Sequence, residues 1–161
     1  FKAALAQWIP LAEQGHVIAQ NNVGVMYAKG NGVIENDNTA VVWLTLAAEQ
    51  GFAEAQYELG GMYARGEGVS SDTKTALKLL TLAAEQGFAE AQASVGLMYY
   101  SGNGVVSDNI RAYAWFDLAA HNGDEIAQGL KKKIIKEMSA GDISKAQDMS
   151  SRCLKSGYKH C

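Results

Sequence analysis

The residues TLAAEQGFAEAQ stand at Thr45–Gln56 and again at Thr81–Gln92, an offset of 36. That offset runs through most of the chain. Gly15, Gly51, Gly87 and Gly123 share one register, as do Gln20, Gln56, Gln92 and Gln128. So do Gly24, Gly60 and Gly96, then Tyr27, Tyr63 and Tyr99, and then Ala40, Ala76 and Ala112. The pairs Gly30/Gly32, Gly66/Gly68 and Gly102/Gly104 are each followed by valine, and Asn36, Asp72 or Asp108 comes shortly after. A fixed period of this length constrains the fold more than composition can. Each unit is one supersecondary element that cannot bury its apolar face alone, so it stacks on its neighbours.

Each unit reads as two helices. The first, Phe52–Arg65 in the best-formed copy, carries apolar residues at three- and four-residue spacings. It stops at Gly66, which can take the left-handed backbone of a helix C-terminus. Val69 is expected to tuck under the turn, and Asp72 to cap the second helix, about Thr73–Gln86, by accepting from free N–H groups. Gly60 and its equivalents fall mid-helix, where glycine costs about 1 kcal/mol relative to alanine. A recurring cost implies a use, and close approach of the paired helices is the use expected. The duplicated twelve residues are then the elbow between units, which packs in the same way each time.

The order Ala-Gln…Leu-Gly…Met-Tyr…Gly-x-Gly-Val…Asp…Ala…Ala-Ala-Glu-Gln-Gly, carried here by Ala55, Gln56, Leu59, Gly60, Met62, Tyr63, Gly66, Gly68, Val69, Asp72, Ala76, Ala83, Ala84, Glu85, Gln86 and Gly87, resembles the Sel-one-like repeat family, relatives of the tetratricopeptide arrays. The resemblance covers about residues 17–123. It implies an all-α fold, a right-handed superhelical solenoid of antiparallel helix pairs. The expected organisation is a single solenoid over 1–161. Residues 1–15 supply the second helix of a truncated first unit, with Pro10 disturbing its last turns. Residues 16–123 make three repeats, and 124–161 form capping helices and a tail, with helices reaching about Met138 and then spanning about Asp142–Lys155. Beginning at Phe1 rather than Met, the chain is expected to be processed or truncated.

Bulk properties bound the function. Apolar residues make up 48% and charged residues 19%, which suits a folded chain rather than a disordered one. No apolar run approaches the roughly 20 residues of a membrane span. Residues 1–130 hold 6 basic and 14 acidic side chains, and residues 131–161 hold 8 basic and 3 acidic ones. A mildly acidic whole disfavours nucleic-acid binding, although the run Lys131–Lys133 is either a solvated helix face or a patch that steers an anionic partner. Cys153 and Cys161 are the only cysteines, both in the last nine residues. They suggest a disulfide and an oxidising compartment, periplasmic or secreted; two unpaired thiols are the alternative.

Comparison of the copies locates candidate sites. Positions that hold the fold recur, and positions free to serve a partner vary. The variable positions of the first helix form one stripe. In solenoids of helix pairs the first helices line the concave face, so the stripe is the expected groove for a protein or peptide partner. Its residues are Asn21, Asn22, Val25, Lys29, Glu54, Tyr57, Glu58, Arg65, Ser94, Leu97 and Tyr100. Asn21, Tyr57, Glu58, Ser94, Leu97 and Tyr100 are expected to be most exposed to a ligand. Plain solvated surface is the competing reading. Tyr27, Tyr63 and Tyr99 recur and read as core, as do Trp43 and Trp115, whose register holds Leu79 in between.

The Gly-x-Gly-Val turns lack the third glycine and the preceding strand of a dinucleotide loop, so they read as structural. His16, His121 and His160 are not paired with other ligands at helical spacing, and Cys153, His160 and Cys161 would make only a weak zinc site. No catalytic spacing is present. The chain is therefore read as an interaction module or scaffold without cofactor or metal. Self-association of the acidic body with the basic end is the alternative, and a small hydrolase is the remaining one. The family it resembles supplies adaptors, frequently in the bacterial envelope.

Overall fold

A computed structural model describes residues 2–159 and 161; Phe1 and His160 lie outside it. Among the described residues the chain is helical, with no strand. It divides into two compact units, Phe1–Leu79 and Leu80–Cys161.

The first unit contains α1 (Lys2–Glu13), α2 (Val17–Ala28), α3 (Asp37–Glu49), α4 (Ala53–Arg65) and the start of α5 (Thr73–Ala84). Neighbours in sequence pack on one another, α1 on α2, α2 on α3 and α3 on α4, and α2 also touches α4. Pro10 lies within α1, which continues past it to Glu13. The interior is built from small residues. Ala40, Leu44, Ala47 and Ala55 are fully buried, with Leu59 and Met62 beside them. Tyr27 and Tyr63 are half-buried against this cluster, as their recurrence predicted.

The second unit holds the rest of α5, then α6 (Ala89–Ser101), α7 (Asn109–His121), α8 (Glu125–Ile134), a single 3-10 turn at Ile135–Glu137 and α9 (Ala140–Lys155). Helix α7 is its axis, packed by α6, α8 and α9. Tyr113, Trp115, Phe116 and Leu118 of α7 are all buried, so this helix is apolar around most of its girth. Trp115 is core, as expected.

The repeat positions do what their chemistry suggests. Gly66 and Gly102 end α4 and α6 in the left-handed conformation, φ +74° and +72°. Asn36, Asp72 and Asp108 cap α3, α5 and α7. Asp72 accepts from the N–H groups of Lys74 and Thr75 at 3.0 and 3.2 Å, and from the Thr75 hydroxyl at 2.6 Å. The mid-helix glycines allow close approach. A Cβ at Gly24 would lie 2.7 Å from Leu44 Cγ, and one at Gly96 would lie 2.7 Å from the Phe116 ring. Gln20, Gln56 and Gln92 are buried, and each side-chain amide donates to a carbonyl of the preceding helix, Ala12, Ala48 or Ala84, at 3.0–3.2 Å. A buried amide that found no partner would cost about 1–3 kcal/mol, which explains why one residue type holds this register.

Candidate interaction surface

In the first unit the variable positions lie on α2 and α4, which touch each other. Lys29, Glu54 and Arg65 are exposed, and Asn22, Val25, Tyr57 and Glu58 are half-buried. Ile18, one turn before Asn22, is 55% exposed. The stripe is thus an outward face with apolar, aromatic and charged groups on two adjacent helices. Its charges are partly ordered: the Arg65 guanidinium donates to both Glu67 carboxylate oxygens at 2.7 Å. This hydrogen bond lowers the Glu67 pKa and raises that of Arg65.

Asn21 is a correction. It was expected among the residues most exposed to a ligand, but it is 1% exposed, and its Oδ1 has no hydrogen-bond partner among the described residues. The equivalent Ala93 is also buried. The third residue of this register, Tyr57, is larger and half-buried, so the position lies at the edge of the packing and only its long side chain reaches the surface.

In the second unit α6 carries Ser94, Leu97 and Tyr100. Leu97 is 43% exposed, an apolar side chain on an outer face. The Ser94 hydroxyl donates to the Glu90 carbonyl of its own helix at 2.8 Å. Tyr100 is half-buried, and its hydroxyl donates to Glu137 at 2.9 Å, which raises its pKa. Lys133 sits over its ring, 5.7 Å from the centroid. Tyr100 therefore fastens the end of α8 and the 3-10 turn after it to α6. The same register holds Ala28 and Ala64 in the other repeats, neither of which could make these contacts.

The lysine run is not one face. Lys131 pairs with Asp117 at 2.8 Å, Lys133 covers Tyr100, and Lys132 is exposed. Asp117 also accepts from the Ser150 hydroxyl at 2.6 Å, so one half-exposed carboxylate ties α7, α8 and α9 together. The hydrogen bond to Asp117 raises the Lys131 pKa, so its charge is held.

Cys153 and Cys161 are joined in a disulfide with Cα atoms 4.9 Å apart. Both sulfurs are thereby committed, and the third member of the zinc reading, His160, lies outside the described residues. Asp117, Asn122, Glu137 and Tyr158 were not singled out from sequence. A signal was available for two of them. Asp117 stands where the other units have Thr45 and Thr81, and Asn122 where they have Gln50 and Gln86.

Residues 17–52, 53–88 and 89–124 each match the Sel1 repeat. The chain belongs to the Sel1 repeat family. Among solved structures, a protective antigen present in uropathogenic Escherichia coli strains, displaying an SLR fold, is 32% identical with a TM-score of 0.89. That alignment covers 96% of this chain and 34% of that protein. A Sel1 repeat protein from Oxalobacter formigenes is 36% identical with a TM-score of 0.78, over 82% of this chain and 54% of its own. Helicobacter pylori cysteine rich protein B shares the fold at 22% identity, with a TM-score of 0.67 over 81% of this chain and 96% of its own. No curated protein matches this chain. The all-helical solenoid expected from the period is the Sel1 fold. This chain spans about a third and about half of the first two proteins, so it corresponds to a segment of each.

Proposed function

We propose that this Sel1 chain is a protein-interaction module that holds an extended peptide or a helix against the outer faces of its first helices. The observation that carries this reading is the mixed face of α2 and α4 in the first unit. Asn22, Val25, Lys29, Tyr57, Glu58 and Arg65 are at least partly exposed there and differ from copy to copy, and exposed Glu54 stands in register with Ile18 of the preceding copy, on a scaffold whose other positions repeat. An aromatic, a valine and charges of both signs suit a peptide with apolar anchors and a polar rim. In the second unit Ser94, Leu97 and Tyr100 form the equivalent stripe, with Leu97 as its apolar anchor and the ring edge of Tyr100 beside the cap. Asn21, being buried, is not part of the surface. The module acts by holding a partner, not by catalysis, and needs no cofactor. The disulfide supports a periplasmic or secreted setting, because such bonds persist in oxidising compartments.

Site-specific photocrosslinking tests the surface. A photoreactive side chain at Glu58 in the first unit, and separately one at Leu97 in the second, is expected to trap a partner, and one at Lys78 or Arg111 on the second helices is expected to trap none. Trapping only from the second helices would overturn the proposal. The separation of acidic body from basic end favours a second reading, self-association. A crosslinked product of twice the chain mass, lost at high salt, would select it.

A further inference from the structure

The tail after α9 is held by more than its disulfide. Tyr158 adopts a left-handed backbone, φ +66°, the only described non-glycine residue to do so. In that conformation its ring covers the elbow at Gly87, where a Cβ would lie 3.1 Å from Tyr158 Cε2. The equivalent elbow glycines Gly15, Gly51 and Gly123 have nothing within 4 Å of that position. The Tyr158 hydroxyl donates to Asn122 Oδ1 at 2.8 Å, Asn122 Nδ2 donates to Gln92 Oε1 at 2.9 Å, and Gln92 Nε2 donates to the Ala84 carbonyl at 3.0 Å. The first unit shows the same relay without a tail: Gln50 donates to Gln20, and Gln20 to the Ala12 carbonyl. There Gln50 Nε2 also reaches the Gly15 and Leu46 carbonyls. Asn122 is one methylene shorter, and its free oxygen is the acceptor that Tyr158 takes.

We propose that the Cys153–Cys161 disulfide is a redox-operated clamp that holds Tyr158 over the Gly87 elbow, so that reduction uncovers this elbow. The inference is independent of the groove reading. Left-handed backbone at a tyrosine is unfavourable, so Tyr158 keeps it only while its surroundings enforce it. The disulfide closes the loop that does so. The two sulfurs also differ in access. Cys153 is 1% exposed, whereas Cys161 is partly exposed and borders a cleft of about 270 Å³ with Met149, Arg152, Ser156 and Lys159. Arg152 on this rim is paired with Asp148 at 2.9 Å, which leaves Lys159 as the cation that favours an approaching thiolate.

A dithiol supplies the electrons. Its first thiolate attacks the Cys161 sulfur, the disulfide bond breaks and the electron pair leaves on the Cys153 sulfur. Its second thiolate then displaces Cys161 from the mixed disulfide. The dithiol departs as a cyclic disulfide, and Cys153 and Cys161 each take up a proton.

Hydrogen–deuterium exchange on the full chain tests the clamp in three samples: oxidised, treated with dithiothreitol, and oxidised Tyr158→Gly. Glycine takes the left-handed backbone without strain, so the variant is expected to keep the tail's path and its disulfide while losing the tyrosine side chain. In both the reduced and the variant samples the amides of Gly87, Phe88, Asn122 and Gly123 are expected to exchange about three- to tenfold faster, the range set by losing one hydrogen bond that closes a local opening. Amides of Tyr113 to Phe116 in α7 are expected to stay unchanged. Unchanged elbow amides after reduction would overturn the clamp. So would equal acceleration across all of α6 and α7, which would make the disulfide a general staple, or elbow amides in oxidised Tyr158→Gly that exchange as in the unaltered chain.

Discussion

Gly24 and Gly96 show what one missing side chain decides in a helix pair. The Cβ position of Gly96 lies 2.7 Å from two carbons of the Phe116 ring and 3.2 Å from the Ala112 carbonyl. An aromatic ring and a backbone atom cannot both yield. Gly96→Leu is therefore expected to destabilise by roughly 1–3 kcal/mol or more through overpacking. Glu58→Ala, on the outward stripe, is expected to cost about 0.5 kcal/mol or less. Urea midpoints of the two variants check this ranking, and the reverse order would invert the assignment of inside and outside. The glycine's role was legible in the sequence because its recurrence defied helix propensity. The burial of Asn21 was not. Variation between copies marks both free surface and contacts with unlike neighbours, and a sequence does not separate the two. Tyr100 shows the same limit, since Glu137, which engages it, is 37 residues away.

At the scale of the element, the caps make a prediction about acid. Hydrogen bonds from Thr75, side chain first and then backbone, hold the Asp72 pKa below its ordinary value of 3.8. A depressed folded-state pKa means that the unfolded chain binds the proton more tightly. The cap's contribution is therefore complete above about pH 4 and is lost as pH falls through the lower, folded value. Asn36 caps α3 through the same backbone geometry and does not titrate in this range. Asp72→Asn is accordingly expected to flatten part of the acid limb of stability against pH, measured by thermal melts between about pH 2 and 6. An unchanged acid limb would remove Asp72 from the account. Helix order and capping residues were readable from the period, because caps use local chemistry. The 3-10 turn at Ile135–Glu137 was not, because it follows Ile134, which is buried in a cluster with Tyr113 of α7 and Ala146 of α9, and those neighbours are set by tertiary packing.

For the whole molecule, the disulfide and the family were the most legible features, the partner the least. The unreduced protein from its native compartment is expected to lack both thiol hydrogens by mass spectrometry. Two free thiols there would remove the disulfide and the main support for an oxidising setting. Replacing both cysteines by alanine is expected to lower stability by about 2–3 kcal/mol at most, since the closed loop is short. The fold was readable because every unit repeats the same solution. A partner is recognised by what differs between units, and such differences carry no internal control.

The ties around Asp117 and Asn122 also set a timetable for folding. Most packing in each unit joins helices adjacent in the chain, a topology whose loops close early. The Asp117–Ser150 and Asn122–Tyr158 bonds instead bridge 33 and 36 residues. Each must wait until α7 is in place and α9 has returned to it, at a larger cost in loop-closure entropy. Helix α9 and the residues after it are thus the last part of this unit to settle. During synthesis, when the N-terminal helices emerge first, these two ties form only once α9 and the residues after it have been made.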